Sequence, residues 1–205
     1  MQRWNRLLLV SAIVLGAAAP ARGQEAVQTA VPPPKPKACV IDLDGTIANE
    51  TARREKAEKE CPREKDKNGF YAIYFDPALI AMDAPIVKSR EVLSWVDAQG
   101  VRIYYVSSRN QGCLDASRKW IEQNGFPKGA RIVLQKRPQK SVPFKTEAIK
   151  EIQGEADVLF GVGDRDSDIE AYGNCGIKAI KVEVNSDKDW ERVRTEIEKV
   201  LAEKK

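Results

Sequence analysis

No histidine occurs anywhere in the 205 residues of this chain. That absence removes Ser-His-Asp and Cys-His nucleophilic catalysis, histidine-ligated zinc and phosphohistidine chemistry. Any catalysis must rest on carboxylates, hydroxyls, lysine, arginine and a hard metal ion. There is no Cys-x-x-C pair, which argues against a zinc site or a thioredoxin-like redox motif. There is no internal repeat. The N-terminal apolar run, Leu7–Ala19, is too short to span a bilayer, which takes roughly 20 apolar residues.

What is present at the N-terminus has the form of a secretory signal. Arg3 and Arg6 precede the apolar run, which closes in small residues and allows cleavage after Ala21 or Gly23. No cysteine precedes position 39, so neither a lipid anchor nor any other stable membrane anchor is expected. Removing residues 1–23 deletes Arg3, Arg6 and Arg22 and no acid, which takes the net charge from +4 to +1. A nearly neutral chain gives no reason to expect a nucleic-acid partner. Residues 24–37, with four prolines, read as an extended linker. The domain is expected over 38–205. Four cysteines follow, Cys39, Cys61, Cys113 and Cys175. In an exported protein they are either disulfides, with three possible pairings, or free buried thiols.

The most informative stretch is Cys39-Val-Ile-Asp-Leu-Asp-Gly-Thr46. Val40, Ile41 and Leu43 suit a buried parallel strand, and Asp42 and Asp44 interrupt it. Burying carboxylates is costly without a compensating cation or donors, so two of them at a strand end point to a metal ion. The competing interpretation is an ordinary strand ending in an Asp-Gly turn.

Strands and helices then alternate. Strands are expected at 38–43, 101–106, 131–135, 157–162 and 177–182, and helices at 86–99, 113–124, 145–153, 167–172 and 187–203, several stopped by glycine. This alternation predicts an α/β, Rossmann-like, doubly wound parallel sheet whose ligands bind at the carboxyl ends of the strands. One stretch breaks the rhythm. Residues 48–84 separate the first strand from its helix, with a charge-dense part at 50–67 and an aromatic, strand-like part at 70–75. They read as a small cap insertion over the strand ends, or as a surface insertion without a role in the site.

The other strand ends carry matching chemistry. Ser107-Ser108-Arg109-Asn110 offers hydroxyls and a guanidinium to phosphate oxygens, or simply caps a helix. Gly163-Asp164-Arg165-Asp166-Ser167-Asp168 supplies carboxylates for a hard cation such as magnesium; helix capping explains one of these aspartates better than three. Lys145 is expected at the start of a helix, where the dipole disfavours a cation, so an anion or the carboxylates should hold it there. Lys136, Lys140 and Lys150 compete for the same role.

Taken in order, Asp42-x-Asp44-Gly45-Thr46, Ser107, Lys145 and Gly163-Asp164-x-x-x-Asp168 resemble the four motifs of the haloacid dehalogenase-like (HAD) superfamily, across residues 38–184. Tyr104–Asn110 and Asn124-Gly125-Phe126-Pro127 look like the secreted acid phosphatases, and the Gly163–Asp168 segment looks more like polynucleotide-phosphatase or lipin-type members. The resemblance implies a sheet of order 5-4-1-2-3 and a Mg2+-dependent, exported phosphatase (periplasmic or secreted) acting on small-molecule phosphomonoesters through an aspartyl-phosphate. It implies Asp42 as nucleophile and Asp44 as general acid and base. Asp42, the Asp44 carbonyl, Asp164 and Asp168 would hold the metal, while Ser107 and Lys145, to which Arg109 is added, would bind the phosphoryl group. An acid at position 44 separates this pattern from transport ATPases, which carry Thr there, and from dehalogenases, which lack it. Two alternatives are a phosphotransferase to alcohol acceptors and a non-catalytic binding protein on the same fold.

Overall fold

Five parallel strands form the centre of the molecule in the order β5-β4-β1-β6-β7. The computed structural model describes residues 33–137 and 139–203. The expected signal segment 1–23, and the linker as far as residue 32, lie outside the described residues. The strands are β1 (Lys37–Ile41), β4 (Arg102–Asn110), β5 (Arg131–Gln135), β6 (Asp157–Gly163) and β7 (Lys178–Lys181). Counted among themselves in chain order they lie 3-2-1-4-5, the expected arrangement read from the opposite edge. Lys37 already pairs with Asp157, and the Asp157 N–H donates to the Pro36 carbonyl at 2.9 Å, so the sheet begins where the linker was expected to end.

Alternation along β1 assigns the two faces. Cys39 and Ile41 pack with α3 (Val87–Ala98), α4 (Leu114–Gln123) and α7 (Trp190–Glu203) through Val92, Leu93, Trp120, Trp190, Val193 and Ile197. Ala38 and Val40 pack with α5 (Ser141–Glu155) and α6 (Asp166–Asn174) through Phe144, Ile149, Ile152 and Tyr172. β1 is buried on both sides, which is why its residues read as a continuous apolar run. Gly161 on β6 has a packing reason. A Cβ there would lie 2.7 Å from the Tyr172 ring, whose hydroxyl donates to the Val162 carbonyl at 3.0 Å.

The insertion leaves and returns through a two-stranded antiparallel neck, β2 (Ala48–Asn49) with β3 (Ala84–Pro85). Inside it lie α1 (Thr51–Glu60), α2 (Lys67–Tyr74) and a 3-10 turn over Pro77–Met82. The strand expected at 70–75 is thus a helix. Asp66 caps it by accepting from the Asn68 and Gly69 N–H groups, and Phe70 and Tyr74, four apart, form its buried face. Gly154 and Gly173 also fall inside helices rather than ending them. All four cysteines are free thiols, Cys39 and Cys113 buried and Cys61 and Cys175 half-buried. Among the described residues no helix is long and apolar enough to cross a membrane.

Candidate active site

The carboxyl ends of β1, β4 and β6 meet the insertion around a cavity of about 160 Å³. Asp42 follows directly on β1, and its N–H donates to the Val162 carbonyl at 3.0 Å, which carries the pairing with β6 one residue further. The chain then turns tightly. The N–H groups of Thr46, Ile47 and Ala48 converge on the Leu43 carbonyl at 3.3, 3.0 and 2.9 Å. Gly45 sits in this turn at φ +80°, and a Cβ there would lie 2.6 Å from an Asp164 carboxylate oxygen. Only glycine fits both demands.

Lys145 is the centre of the strand-end half. Its Nζ donates to Asp42 Oδ1 and to Asp168 Oδ1, each at 2.7 Å, from a side chain 3% exposed. It lies one turn into α5 rather than at its start, so the two carboxylates hold it, not the end of the helix. Burial disfavours its charge, but Asp42 and Asp168 outweigh burial and strengthen its hold on the proton. Lys136, Lys140 and Lys150 do not line the cavity. Ser107 is buried near the end of β4 and faces the cavity, and Ser108 shares a hydrogen bond with Ser141 at 2.9 Å.

Asp42, Asp164 and Asp168 each place a carboxylate oxygen within 4.8 Å of the others. Burial pushes Asp42 up to about 8 although Lys145 opposes the shift, and Asp168 and Asp164 add to it. The Lys145 ammonium bonds two of the three carboxylates, and the group is short of positive charge. That donor set, all oxygen and partly desolvated, fits a hard divalent cation.

Asp44 lies in a different environment. Arg53 Nη2 donates to it at 2.5 Å, and Arg109 donates through Nη2 at 2.6 Å and through Nε at 3.1 Å. Both guanidiniums also bond Asp83, at 2.8 Å from Arg53 Nε and from Arg109 Nη2, and Arg109 Nη1 donates to Ser117 at 2.9 Å. Arg53 and Arg109 are fully buried. Burial alone would raise the Asp44 carboxyl, but Arg109 and Arg53 hold it well below the usual carboxylate range. Arg109, expected on the phosphate, is thus spent on Asp44, Asp83 and Ser117, and does not line the cavity. The residues that sequence reasoning missed are Arg53 and Asp83. Both belong to the insertion, 30 residues apart, and no periodicity links them. Asp83 is fixed in turn by the Trp120 indole, which donates to its carbonyl at 2.8 Å.

The rest of the cavity wall comes mainly from the insertion, through Arg54, Arg63, Tyr71, Tyr74 and Phe75, with Arg165 facing them from the start of α6. The insertion is therefore part of the site rather than a surface appendage.

Comparison with known proteins agrees with this architecture. The sequence model described as "HAD superfamily, subfamily IIIB (Acid phosphatase)" matches residues 12–188. No curated protein matches. Among solved structures, the chain is similar to the class C acid phosphatase from Bacillus anthracis with tungstate bound (23% identity, TM-score 0.55, covering 75% of this chain and 68% of that one). It is also similar to a HAD-superfamily hydrolase from Ehrlichia chaffeensis (13%, TM-score 0.54, 82% and 98%). A third similarity is to a chain of the Pnkp1/Rnl/Hen1 complex (18%, TM-score 0.56, 83% and 53%). At these identities the structural likenesses establish the fold.

Proposed function

The chain belongs to subfamily IIIB of the HAD superfamily and is a phosphoric monoester hydrolase; from that premise we propose that it is an exported, magnesium-dependent phosphatase working through an aspartyl-phosphate on Asp42. One observation carries the reading. Lys145 bridges Asp42 and Asp168 at the edge of a three-carboxylate group, and Asp42, Asp168, Lys145 and Ser107 all line the same cavity.

Asp42, Asp164, Asp168 and the Asp44 carbonyl would hold magnesium, which supplies positive charge against the transferring phosphoryl group. Lys145 and Ser107 orient and neutralise the phosphoryl oxygens. An Asp42 oxygen bonds to phosphorus, the bond to the leaving oxygen breaks, and Asp44 gives that oxygen a proton. A water oxygen then bonds to phosphorus, Asp44 takes the water proton, and the Asp42–phosphorus bond breaks. Arg53 and Arg109 favour the carboxylate form of Asp44, which is the form that the second step requires. An incoming phosphate dianion adds negative charge beside Asp44 and draws it toward the protonated form that the first step requires. Arg109 acts in this account by positioning Asp44 rather than by binding phosphate.

A small cavity, and a net charge that falls to +1 once residues 1–23 are removed, support a small-molecule phosphomonoester over a nucleic acid. Export rests on the signal-like segment 1–23 and is tested by locating the processed protein in fractionated cells. The hydrolytic reading is tested by assaying phenyl phosphate hydrolysis with magnesium and with EDTA. Activity that EDTA abolishes and magnesium restores is expected; activity indifferent to both contradicts the metal assignment. Added alcohol separates hydrolysis from transfer, because a transferase converts the alcohol to its phosphate ester while a hydrolase releases inorganic phosphate.

A further inference from the structure

The cavity holds more positive charge than one phosphoryl group requires. Lys145 and Ser107, with the metal that the three carboxylates would hold, would serve that group at the floor. Above it stand three further guanidiniums, Arg54, Arg63 and Arg165. They differ from Arg53 and Arg109, whose bonds to Asp44 and Asp83 are complete. Arg165 approaches Asp164 only at 3.9 Å, beyond hydrogen-bond reach, and its side chain is 54% exposed. Arg63 makes no ion pair with a carboxylate side chain among the described residues, its guanidinium lying 5.3 Å from the Tyr71 ring centroid. Arg54 alone is paired, to Glu50 at 2.6 Å, and remains 39% exposed. Beside them, Tyr71 and Phe75 stack at 5.7 Å with their planes 14° apart, which gives the wall an apolar, planar section.

We propose that Arg54, Arg63 and Arg165 form a subsite for a second anionic group on the substrate, so that this enzyme prefers phosphomonoesters carrying a carboxylate or a second phosphate across a short, flat spacer. The proposal deepens the phosphatase reading and rests on it for the orientation of the scissile phosphate. Guanidiniums gathered in a partly closed cavity repel one another, and a bridging anion relieves that repulsion while accepting fork-shaped hydrogen bonds. The aromatic section would carry the spacer. A charge-assisted hydrogen bond of this kind is worth about tenfold in affinity or more.

The test compares three phosphonates, whose carbon–phosphorus bond this chemistry does not cleave: phenylphosphonate, 4-phosphonobenzoate and 1,4-phenylenebisphosphonate. Calorimetry on the full chain with magnesium is expected to show at least about tenfold tighter binding of one or both ligands that carry a second anionic group. Which of the two wins distinguishes a carboxylate from a phosphate as the second group. Arg63→Gln and Arg165→Gln are expected to collapse that preference toward unity, and Arg63→Lys to keep part of it. Both positions are exposed enough to be changed without unfolding the chain. Equal affinity for the three ligands in the wild type overturns the proposal. So does an equal loss on all three in the variants, which would place these arginines on the scissile phosphate instead. In parallel, phenyl phosphate and 4-carboxyphenyl phosphate are assayed for turnover. Hydrolysis of neither defeats the phosphatase reading, while the binding arm still decides the subsite.

Discussion

The two halves of the site keep their charges in opposite states. At the strand ends, Asp42, Asp164 and Asp168 crowd together, two of them bonded to the Lys145 ammonium, and the surplus is negative. On the insertion side, Arg54 and Arg63 line the cavity with Arg165 from the start of α6, and behind them Arg53, and Arg109 of β4, are paired to Asp83 and Asp44. The first half has a donor set that suits a cation, and on the proposed subsite the exposed arginines of the second suit an anion. Asp44 joins the two. Its main chain belongs to the strand-end turn, and its carboxylate is held by Arg53 of the insertion and Arg109 of β4. On the proposed mechanism, bond making falls to the sheet, and proton handling and substrate choice fall largely to the insertion.

The largest expected effect lies in the strand-end half. Asp42→Asn should lower kcat for phenyl phosphate by about 10⁴-fold or more while circular dichroism and melting stay near wild type, as is usual for loss of a nucleophile. A variant that retains appreciable turnover would remove Asp42 from the reaction. Next comes the bridge between the halves. Arg53→Gln leaves Asp83 and Asp44 short of a buried partner, at a cost of about 3–5 kcal/mol in denaturant unfolding. Loss of Arg53 releases the Asp44 carboxyl toward its protonated form, so the folded fraction should lose more activity on p-nitrophenyl phosphate, which needs Asp44 only as the base of the second step, than on alkyl phosphates, whose leaving oxygen also needs the proton. An equal loss on both would make Arg53 merely structural. Gly161→Ala tests the support behind the strand ends. It forces a methyl group against the Tyr172 ring and should cost about 1–3 kcal/mol of stability without changing which leaving groups are favoured. Arg118→Ala, which breaks an exposed pair with Asp115 that belongs to neither half, should change stability by no more than about 0.5 kcal/mol.

The same division explains what could be read in advance. Asp42, Asp44, Asp164 and Asp168 stand out because each interrupts or follows an apolar strand, where a carboxylate needs a physical reason. Lys145 stands out as a cation expected at an unfavourable helix end; the anticipated carboxylate partners exist, although the helix begins earlier, at Ser141. The insertion offers no such contrast. In a segment as charged as 50–67, Arg53 looks like any solvated arginine, and its burial depends on Asp83, brought close only by folding. The aromatic run 70–75 is too short for periodicity to separate strand from helix. The spacing of Phe70 and Tyr74, with Asp66 ahead of them, was the one local signal favouring a helix. Arg109 differs from its expectation for a related reason. A guanidinium near a strand end suits a phosphate, but the structure gives it two carboxylates and a serine hydroxyl first.

The division of labour between Asp42 and Asp44 is tested most directly by trapping the covalent intermediate. Asp44→Asn is mixed with p-nitrophenyl phosphate and magnesium, quenched in acid, digested and weighed peptide by peptide. An activated leaving group needs no proton, so the first step proceeds, while the second, lacking its base, stalls. The account predicts a phosphoryl group accumulating on the peptide that contains Asp42, and none when Asp42→Asn is added to the same variant. Turnover by Asp44→Asn with no phosphorylated peptide, or a phosphoryl group on any other residue, would contradict it.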